Sequence, residues 1–231
     1  AKRQKEDARI VIVDKPNGGL SSARNAGINA ACGTYIGFLD ADDRFTPNAC
    51  QRIAEAFAEI DADVVTFGGY CNPAEAATPW ITLKLSPRDV VYDGFQPALM
   101  FEEQSTPYIR TACRKAFLDE CGIRFEEALP FGEDQVFFFD IYPNSRKTTL
   151  MSDKLYEYRI EREGSLTSKT NDDLEAKSRK HLPMTQRIFS AWKKRFGLEE
   201  YSSEIVRWSI EFVLYGLFCL PEGARNELLP E

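Results

Sequence analysis

The chain has 231 residues, of which 43% are apolar and 28% are charged, so it is long enough and apolar enough to bury a core. Its formal net charge of -7 argues against a general nucleic-acid binder, because such proteins carry a surplus of basic residues. Six scattered cysteines without C-x-x-C spacing and a single histidine, His181, argue against a zinc site and indicate reduced thiols in the cytoplasm.

Apolar runs alternate with helical patterns along the first third of the chain. Residues 10–13 (I-V-I-V), 35–39 (Y-I-G-F-L) and 64–67 (V-V-T-F) are typical of buried strands. Helical patterns separate them at residues 21–32 and 47–60. This β-α-β-α-β order predicts an α/β fold with a mostly parallel sheet that is flanked by helices.

The helix predicted at residues 21–32 combines small residues with two polar ones. Ser21 or Ser22 is the expected N-cap. Arg24 and Asn25 fall on the side away from the small residues, where they are either solvated or, for Arg24, able to reach a phosphate near the strand ends. The face expected to lie against the sheet contains Ala23, Ala26, Gly27, Ala30 and Ala31.

Three carboxylates, Asp40, Asp42 and Asp43, follow the strand predicted at residues 35–39. In open α/β sheets, ligands bind beyond the carboxyl ends of the strands. Acids clustered at that position repel one another unless a cation lies between them. The pattern therefore predicts Mg²⁺ or Mn²⁺ at this turn, carrying a phosphorylated ligand.

Three rival motifs fit this turn poorly. An EF-hand loop that starts at Asp40 would need Gly and Glu at the positions of Phe45 and Gln51. A haloacid-dehalogenase phosphatase would place Gly and then Thr or Val after the second Asp, whereas Asp43 and Arg44 stand there. No G-K-S or G-K-T phosphate loop occurs in the chain. A nucleotide diphosphate bound through a metal remains as the predicted ligand.

A second acidic pair, Glu133 and Asp134, opens a very apolar helix that is predicted to end before Pro143. Acids in the first turn of a helix commonly complement the helix dipole. A helix that is apolar on most sides is buried, however, and its N-terminus then lies inside the protein. Helix capping and a functional acid pair both stay open on this pattern alone.

From residue 172 the pattern is helical, with helices predicted at residues 174–196 and 202–220. We therefore divide the chain into an α/β domain at residues 1–169 and a helical region at residues 170–231. The last helix is apolar on most sides, so we expect it to pack in a core, against a partner or on a membrane.

Four sequence elements occur together in the order known from one enzyme family. They are G-G-L-S-S-A-R-N-A-G (18–27), G-T-Y-I-G-F-L-D-A-D-D (33–43), P-F-G-E-D-Q-V-F-F (130–138) and Y-E-Y-R followed by G-S-L-T (156–167). The chain closely resembles the inverting family-two glycosyltransferases of the GT-A fold, which build bacterial surface polysaccharides from nucleotide sugars. The resemblance implies a metal-assisted hexosyltransferase in the cytoplasm that takes a UDP-sugar donor and a glycan or lipid-linked acceptor.

The resemblance implies roles for five residues on the donor side. Asp40 and Asp42 match the acids that contact the metal and the ribose of the nucleotide, and Asp43 is a further metal contact. Arg24 and Asn25 match residues that lie beside the nucleotide. The metal implied by the family is Mn²⁺ or Mg²⁺.

On the acceptor side, Asp134 matches the general base that takes the proton of the acceptor hydroxyl, with Glu133 as its neighbour. Inversion is a single displacement at the anomeric carbon, so one carboxylate within hydrogen-bond reach of the hydroxyl is sufficient. Arg159 and the loop that contains Ser165 are expected to hold the acceptor or the diphosphate.

The resemblance begins after the first part of the family's domain. The I-I-P-x-Y-N and V-D-D-G-S segments, roughly two βα units of about 30 residues each, have no counterpart, so we expect an N-terminally truncated chain that is inactive alone. The main alternative is a non-catalytic module for nucleotide-sugar binding or assembly, and a sugar nucleotidyltransferase is a weaker one. The C-terminal helices are expected to allow peripheral contact with the inner membrane face.

Overall fold

The computed structural model describes residues 2–101, 110–129, 131–160, 174–197, 199–210 and 214–228. The predicted contact through Ser165 and the predicted boundary near residue 170 lie outside these described residues. Within them, no helix is both long enough and apolar enough to cross a membrane.

A six-stranded sheet forms the centre of the protein, with the order β1-β5-β3-β6-β2 and with β4 also paired to β6. Among the strands of the described residues, β3 and β6 pair in parallel, and the other four pairings are antiparallel. Because β5 runs opposite to both β1 and β3, the strands β1, β3 and β6 all point the same way. The strands are β1 Tyr35–Gly37, β2 Arg44–Phe45, β3 Val64–Asn72, β4 Val90–Asp93, β5 Thr111–Arg114 and β6 Lys147–Arg159.

Helices cover both faces of the sheet, which confirms the predicted α/β class. The described helices are α1 Lys2–Glu6, α2 Gly19–Ala30, α3 Ala49–Ile60, α4 Pro79–Lys84, α5 Pro97–Phe101, α6 Lys115–Glu120, α7 Glu133–Asn144, α8 Leu174–Phe196, α9 Ser202–Ser209, α10 Tyr215–Phe218 and α11 Glu222–Leu228.

The alternating side chains of the strands divide the core into two clusters. Val64 of β3 packs in the cluster that contains α2 and α7, and the next residue, Val65, packs in the cluster that contains α3. In α3 the buried residues recur with helical spacing, as the sequence predicts. They are Ala49, Ile53, Ala56 and Phe57.

The C-terminal helices share the first of these clusters with the sheet. Met184 and Trp192 of α8, Ile205 of α9 and Leu217 of α10 are all buried there. Apolar residues of the last helices therefore pack in a core, which is one of the three predicted outcomes. Part of their apolar surface is exposed, because Phe218 is 63% exposed.

Several local predictions are wrong. The helix α7 runs to Asn144 and contains Pro143, whereas the sequence predicts that it ends before that residue. Residues 10–13 form no strand, and their side chains are 38% to 69% exposed, because no neighbouring strand supplies a ladder for them among the described residues. The helix α2 begins at Gly19 without a side-chain cap, and Ser21 is buried within it.

The face of α2 that lies against the core is also not the predicted one. The buried positions are Ser21, Asn25 and Ile28, a second stripe with spacing i, i+4, i+7. The small residues Ala23 and Gly27 instead line a groove of about 520 Å³ between α2 and β1. In the part of the chain that the structure describes, β1 has a sheet partner on one side only, so this groove runs along an edge of the described sheet.

Candidate functional site

The acid turn, residues 40–43, follows β1 at the edge of the sheet where β6 also ends. A backbone hydrogen bond of 3.1 Å from Asp43 N to Asp40 O closes the turn. The side chains of Asp40, Asp42 and Asp43 are all partly buried. Their negative charge lies at the carboxyl end of a strand, as the sequence predicts.

Arg24 joins the acid turn to the start of α7. Its Nη2 donates to Asp40 Oδ1 at 2.8 Å, and its Nη1 donates to Glu133 Oε1 at 2.9 Å. The side chain is only 9% exposed, and its guanidinium lies 5.1 Å from the ring centre of Phe125. The planar guanidinium can serve two carboxylates and a ring at once. The structure therefore brings three predicted site residues, Arg24, Asp40 and Glu133, into direct contact.

Asp134 lies in the first turn of α7, and burial is the main cause of its altered acidity. Burial and the adjacent Glu133 carboxylate raise the pKa of Asp134 to about 7. The backbone N–H of Gln135, which donates to Asp134 Oδ1 at 2.8 Å, and the nearby Arg24 cation oppose this rise. The pKa of this carboxyl therefore lies well above the ordinary range of an aspartate.

The burial of Asp134 follows from the sequence of α7. The N-cap of the helix is Gly132, whose φ of +79° is in the region that favours glycine. The side chains that follow the acids are nearly all buried, so the N-terminus of the helix is drawn into the protein. The buried set is Gln135, Val136, Phe137, Phe138, Phe139, Ile141, Tyr142 and Pro143.

Asp43 fastens the acid turn to the end of β6. Its Oδ2 accepts from the Tyr156 hydroxyl at 2.6 Å, and its Oδ1 accepts from the backbone N–H of Arg159 at 2.8 Å. Burial raises the pKa of Asp43, and these two hydrogen bonds partly offset that rise. Burial and the bond to Asp43 also raise the pKa of Tyr156, so its hydroxyl stays a donor. Both oxygens of Asp43 are thus engaged with protein groups.

Asn25 is engaged in the same way, with the segment before α7. Its Nδ2 donates to Phe125 O at 2.9 Å, and its Oδ1 accepts from Phe125 N at 2.8 Å. The Nδ2 also donates to Glu127 Oε1 at 2.9 Å. The residue is buried. Its side-chain amide bonds both the N–H and the C=O of Phe125, as the backbone of a neighbouring strand would. The nucleotide contact expected of Asn25 stays a prediction, which this geometry does not favour.

Two of these partners were not singled out by the sequence reasoning. Tyr156 lies inside the Y-E-Y-R element, but that motif does not predict its contact with Asp43. Phe125, which contacts both Arg24 and Asn25, carries no sequence signal of its own. The backbone of Arg159 takes part in the site through its N–H, while the predicted contact of its side chain with a ligand stays a prediction.

The donor groups of the acid turn are suited to a hard cation. Among the described residues, no group of three or more His, Cys, Asp or Glu side chains could by itself hold a metal ion. Mg²⁺-type ions are commonly held by one or two carboxylates together with substrate phosphates and water. Both Asp43 oxygens accept protein hydrogen bonds, and the metal contacts expected of Asp42 and Asp43 stay predictions.

Comparisons with known proteins find similar sequences. The sequence model of "Glycosyl transferase family 2" matches residues 1–120. The chain is 33% identical to "Uncharacterized glycosyltransferase EpsJ" of Bacillus subtilis over 167 residues, which are 71% of this chain and 48% of EpsJ. It is 31% identical to "Succinoglycan biosynthesis protein ExoO" of Rhizobium meliloti over 171 residues, 69% of this chain and 47% of ExoO. The chain thus spans about half the length of these curated relatives.

Solved structures share the fold. The structure of S. aureus TarS 1–349 in complex with UDP-GlcNAc superposes with a TM-score of 0.65 at 19% identity, covering 94% of this chain and 60% of that one. The same protein has also been solved with UDP, with a TM-score of 0.63 at 18% identity, covering 92% of this chain and 61% of that one. At this level of identity the likeness concerns the fold.

Proposed function

Because this chain belongs to glycosyl transferase family 2, we propose that it provides the catalytic site that moves a sugar from a nucleotide diphosphate sugar to an acceptor hydroxyl with inversion. The observation that carries the proposal is the Arg24 bridge, which holds Asp40 and Glu133 at 2.8 Å and 2.9 Å. This bridge supports the proposal because it joins a donor-side acid to the residue next to Asp134.

Asp134 is assigned as the general base. Its raised pKa of about 7 leaves a useful ionised fraction and a real affinity for a proton at neutral pH. As the acceptor oxygen forms its bond to the anomeric carbon, the hydroxyl proton passes to Asp134. The bond from the anomeric carbon to the diphosphate oxygen breaks, and the diphosphate leaves with the electron pair. A single displacement inverts the anomeric centre.

On the donor side, Arg24 and Asp42 receive the diphosphate. Arg24 forms ion pairs with Asp40 and Glu133, and its planar guanidinium is suited to binding phosphate oxygens. We assign Asp42 to Mn²⁺ or Mg²⁺, which when bound would offset the charge that develops on the departing diphosphate. Asp40 is assigned to the nucleotide ribose. Asp43 is assigned to hold the turn in place, which refines the direct metal contact expected from the resemblance.

The substrates are proposed from relatives and fold neighbours. A UDP-sugar is the donor we favour, because the TarS structures were solved with UDP-GlcNAc and UDP. A glycan or lipid-linked acceptor in polysaccharide synthesis agrees with the printed names of relatives such as ExoO. We place the protein in the cytoplasm with peripheral membrane contact through its C-terminal helices, where Val206, Ile210 and Phe218 are exposed.

Residues 1–231 alone are expected to transfer sugar at least about tenfold more slowly than the full-length protein, because positioning of the donor contributes strongly to the rate. The groove beside β1 is lined by Arg24 and Asp40 and is open along the sheet edge, so the donor would lack a wall. The measurement is UDP release from a panel of UDP-sugars with Mn²⁺. Equal rates for the two proteins would contradict this expectation. Calorimetric UDP binding by the full-length protein without turnover would favour the alternative of a binding module.

Glu133→Gln is expected to move the midpoint of the rising limb of the pH-rate profile to lower pH by about half a unit. The Glu133 carboxylate raises the pKa of Asp134, so removing its charge lets Asp134 ionise at lower pH. The rate at pH 6 relative to pH 8 should therefore rise. Glu126→Gln is the control, because Glu126 pairs with Arg187 at 3.3 Å and is not among the groups that shift Asp134. An unchanged midpoint in Glu133→Gln would remove Asp134 as the titrating base.

A further inference from the structure

The helix α8 lies directly against the turn that begins α7. No sequence element of α8 belongs to the motifs that carry the family resemblance. Its residues nevertheless contact Phe131 and Gly132, the two positions before Glu133, and also contact the body of α7. These contacts bear on the position of Asp134, which follows two residues after Gly132.

Met184 closes the space over Gly132. A Cβ atom added to Gly132 would overlap Met184 Sδ and would lie 3.0 Å from Met184 Cγ. Met184 is fully buried, and the positive φ of Gly132 requires a backbone that most residues do not adopt. The Met184 side chain of α8 is thus packed against Gly132, the residue whose backbone leads the chain into α7.

His181 supports the neighbouring position one turn earlier in α8. Its ring stacks on Phe131 at 5.3 Å between ring centres, with an angle of 26° between the planes. The residue is 4% exposed, and burial together with the charge of Lys177 lowers the pKa of His181 to about 4. At neutral pH the ring is uncharged, so it acts here as an aromatic packing surface.

Arg187 sets the position of α8 along α7. Its Nη2 donates to Asp140 Oδ2 at 2.9 Å, and its Nε donates to Glu126 Oε2 at 3.3 Å. Asp140 lies on α7, and Glu126 lies on the segment before it. Packing at Met184 and the polar contacts of Arg187 therefore leave the start of α7 little freedom to move relative to α8.

We propose that α8 is part of the catalytic apparatus, in which Met184 and His181 are positioning residues that hold Phe131 and Gly132 so that Asp134 faces the acceptor hydroxyl. This proposal rests on the proposed function, because it assumes that Asp134 is the base. A displacement of about 1 Å at a reacting group can cost up to about 100-fold in rate. Loosening this turn should thus slow the transfer step more than it weakens binding of the donor, whose site is linked to the turn through the ion pair of Arg24 with Glu133.

The test is a comparison of Met184→Ala with Ile188→Ala in the full-length protein. Ile188 lies one turn further along α8 and is equally buried, so both variants lose a similar apolar side chain from the same core. Met184→Ala is expected to lower kcat about tenfold, with smaller changes in KM for the donor and in calorimetric UDP binding. Ile188→Ala should lower the melting temperature by a similar amount while keeping kcat within about twofold of the wild type.

Two further variants keep the test decisive if Met184→Ala does not fold. Met184→Leu refills the space and should restore kcat, and His181→Phe, which keeps the ring stacked on Phe131, should be more active than His181→Ala. Equal loss of kcat in the variants at Met184 and Ile188, or an unchanged kcat in Met184→Ala, would overturn the positioning role alone. Absence of transfer by the wild type in the same assay would overturn the proposed function and this proposal with it.

Discussion

Asp134→Asn in the full-length protein is expected to lower the rate of sugar transfer by at least about 100-fold, the lower range of what a general base contributes. Asparagine has nearly the same shape as aspartate, but its amide cannot accept the proton of the acceptor hydroxyl. Binding of UDP with Mn²⁺, measured by calorimetry, should be unchanged, because Arg24, Asp40 and Asp42 are left in place.

The same substitution is expected to stabilise the fold above neutral pH. The pKa of Asp134 is about 7 in the folded protein, against an ordinary value of 3.8 for an aspartate, so ionising Asp134 costs folding free energy as the pH rises. The stability gained by Asp134→Asn should be small near pH 4, grow up to about pH 7 and then level off. Thermal unfolding of both proteins across this range measures the difference.

Asp119→Asn is a suitable control, since Asp119 pairs with Lys115 and Arg124 on the surface. It should transfer sugar at the rate of the wild type. Wild-type activity in Asp134→Asn would show that another group takes the proton. A loss of UDP binding in that variant would instead mean that Asp134 supports the donor site.

Local sequence patterns predict the elements that are decided by local forces. The stripe of Ala49, Ile53 and Phe57 sets the buried face of α3, and α8 has the predicted bounds Leu174–Phe196. The sheet is harder, because pairing joins residues far apart in the chain. The strand β5 lies between β1 and β3 and is antiparallel to both. Its four residues carry no pattern that predicts this position or direction.

The wrong predictions have the same origin. Residues 10–13 have the composition of a strand, but a strand forms only where a partner provides hydrogen bonds. In α2, two stripes satisfy helical spacing, and the one that carries Asn25 and Ile28 is buried. Asn25 can be buried because Phe125, 100 positions away, satisfies its amide.

Within the site, sequence motifs identify the acidic residues, and contacts between distant segments determine which groups each acid binds. Asp40, Asp42 and Asp134 could be named from their elements. The bridge that Arg24 makes to Glu133 crosses 109 positions, and no local pattern contains it. Asp43 looks like its neighbours in sequence, and only its bonds to Tyr156 and Arg159 separate it from them.

This difference between neighbouring acids leads to an expected result for Asp42→Ala and Asp43→Asn. Asp42→Ala should weaken Mn²⁺-dependent UDP binding at least about tenfold, the equivalent of about 1.4 kcal/mol, and should lower transfer by about 100-fold. Asp43→Asn should leave the Mn²⁺ concentration required for half-maximal UDP binding unchanged. Its effect should be a lower melting temperature, because a partly buried hydrogen bond is lost.

Tyr156→Phe provides the matched control, because it removes the 2.6 Å hydrogen bond to Asp43 from the other side. If Asp43 serves only to tie the acid turn to β6, the stability losses of Asp43→Asn and Tyr156→Phe should be less than additive in the double variant. Additive losses of stability would contradict this role. A Mn²⁺ requirement that rises in Asp43→Asn as far as in Asp42→Ala would indicate that Asp43 contacts the metal. Chelation by EDTA should abolish the UDP binding of Asp43→Asn as fully as that of the wild type, since in our assignment the ion is held by Asp42 and the donor phosphates.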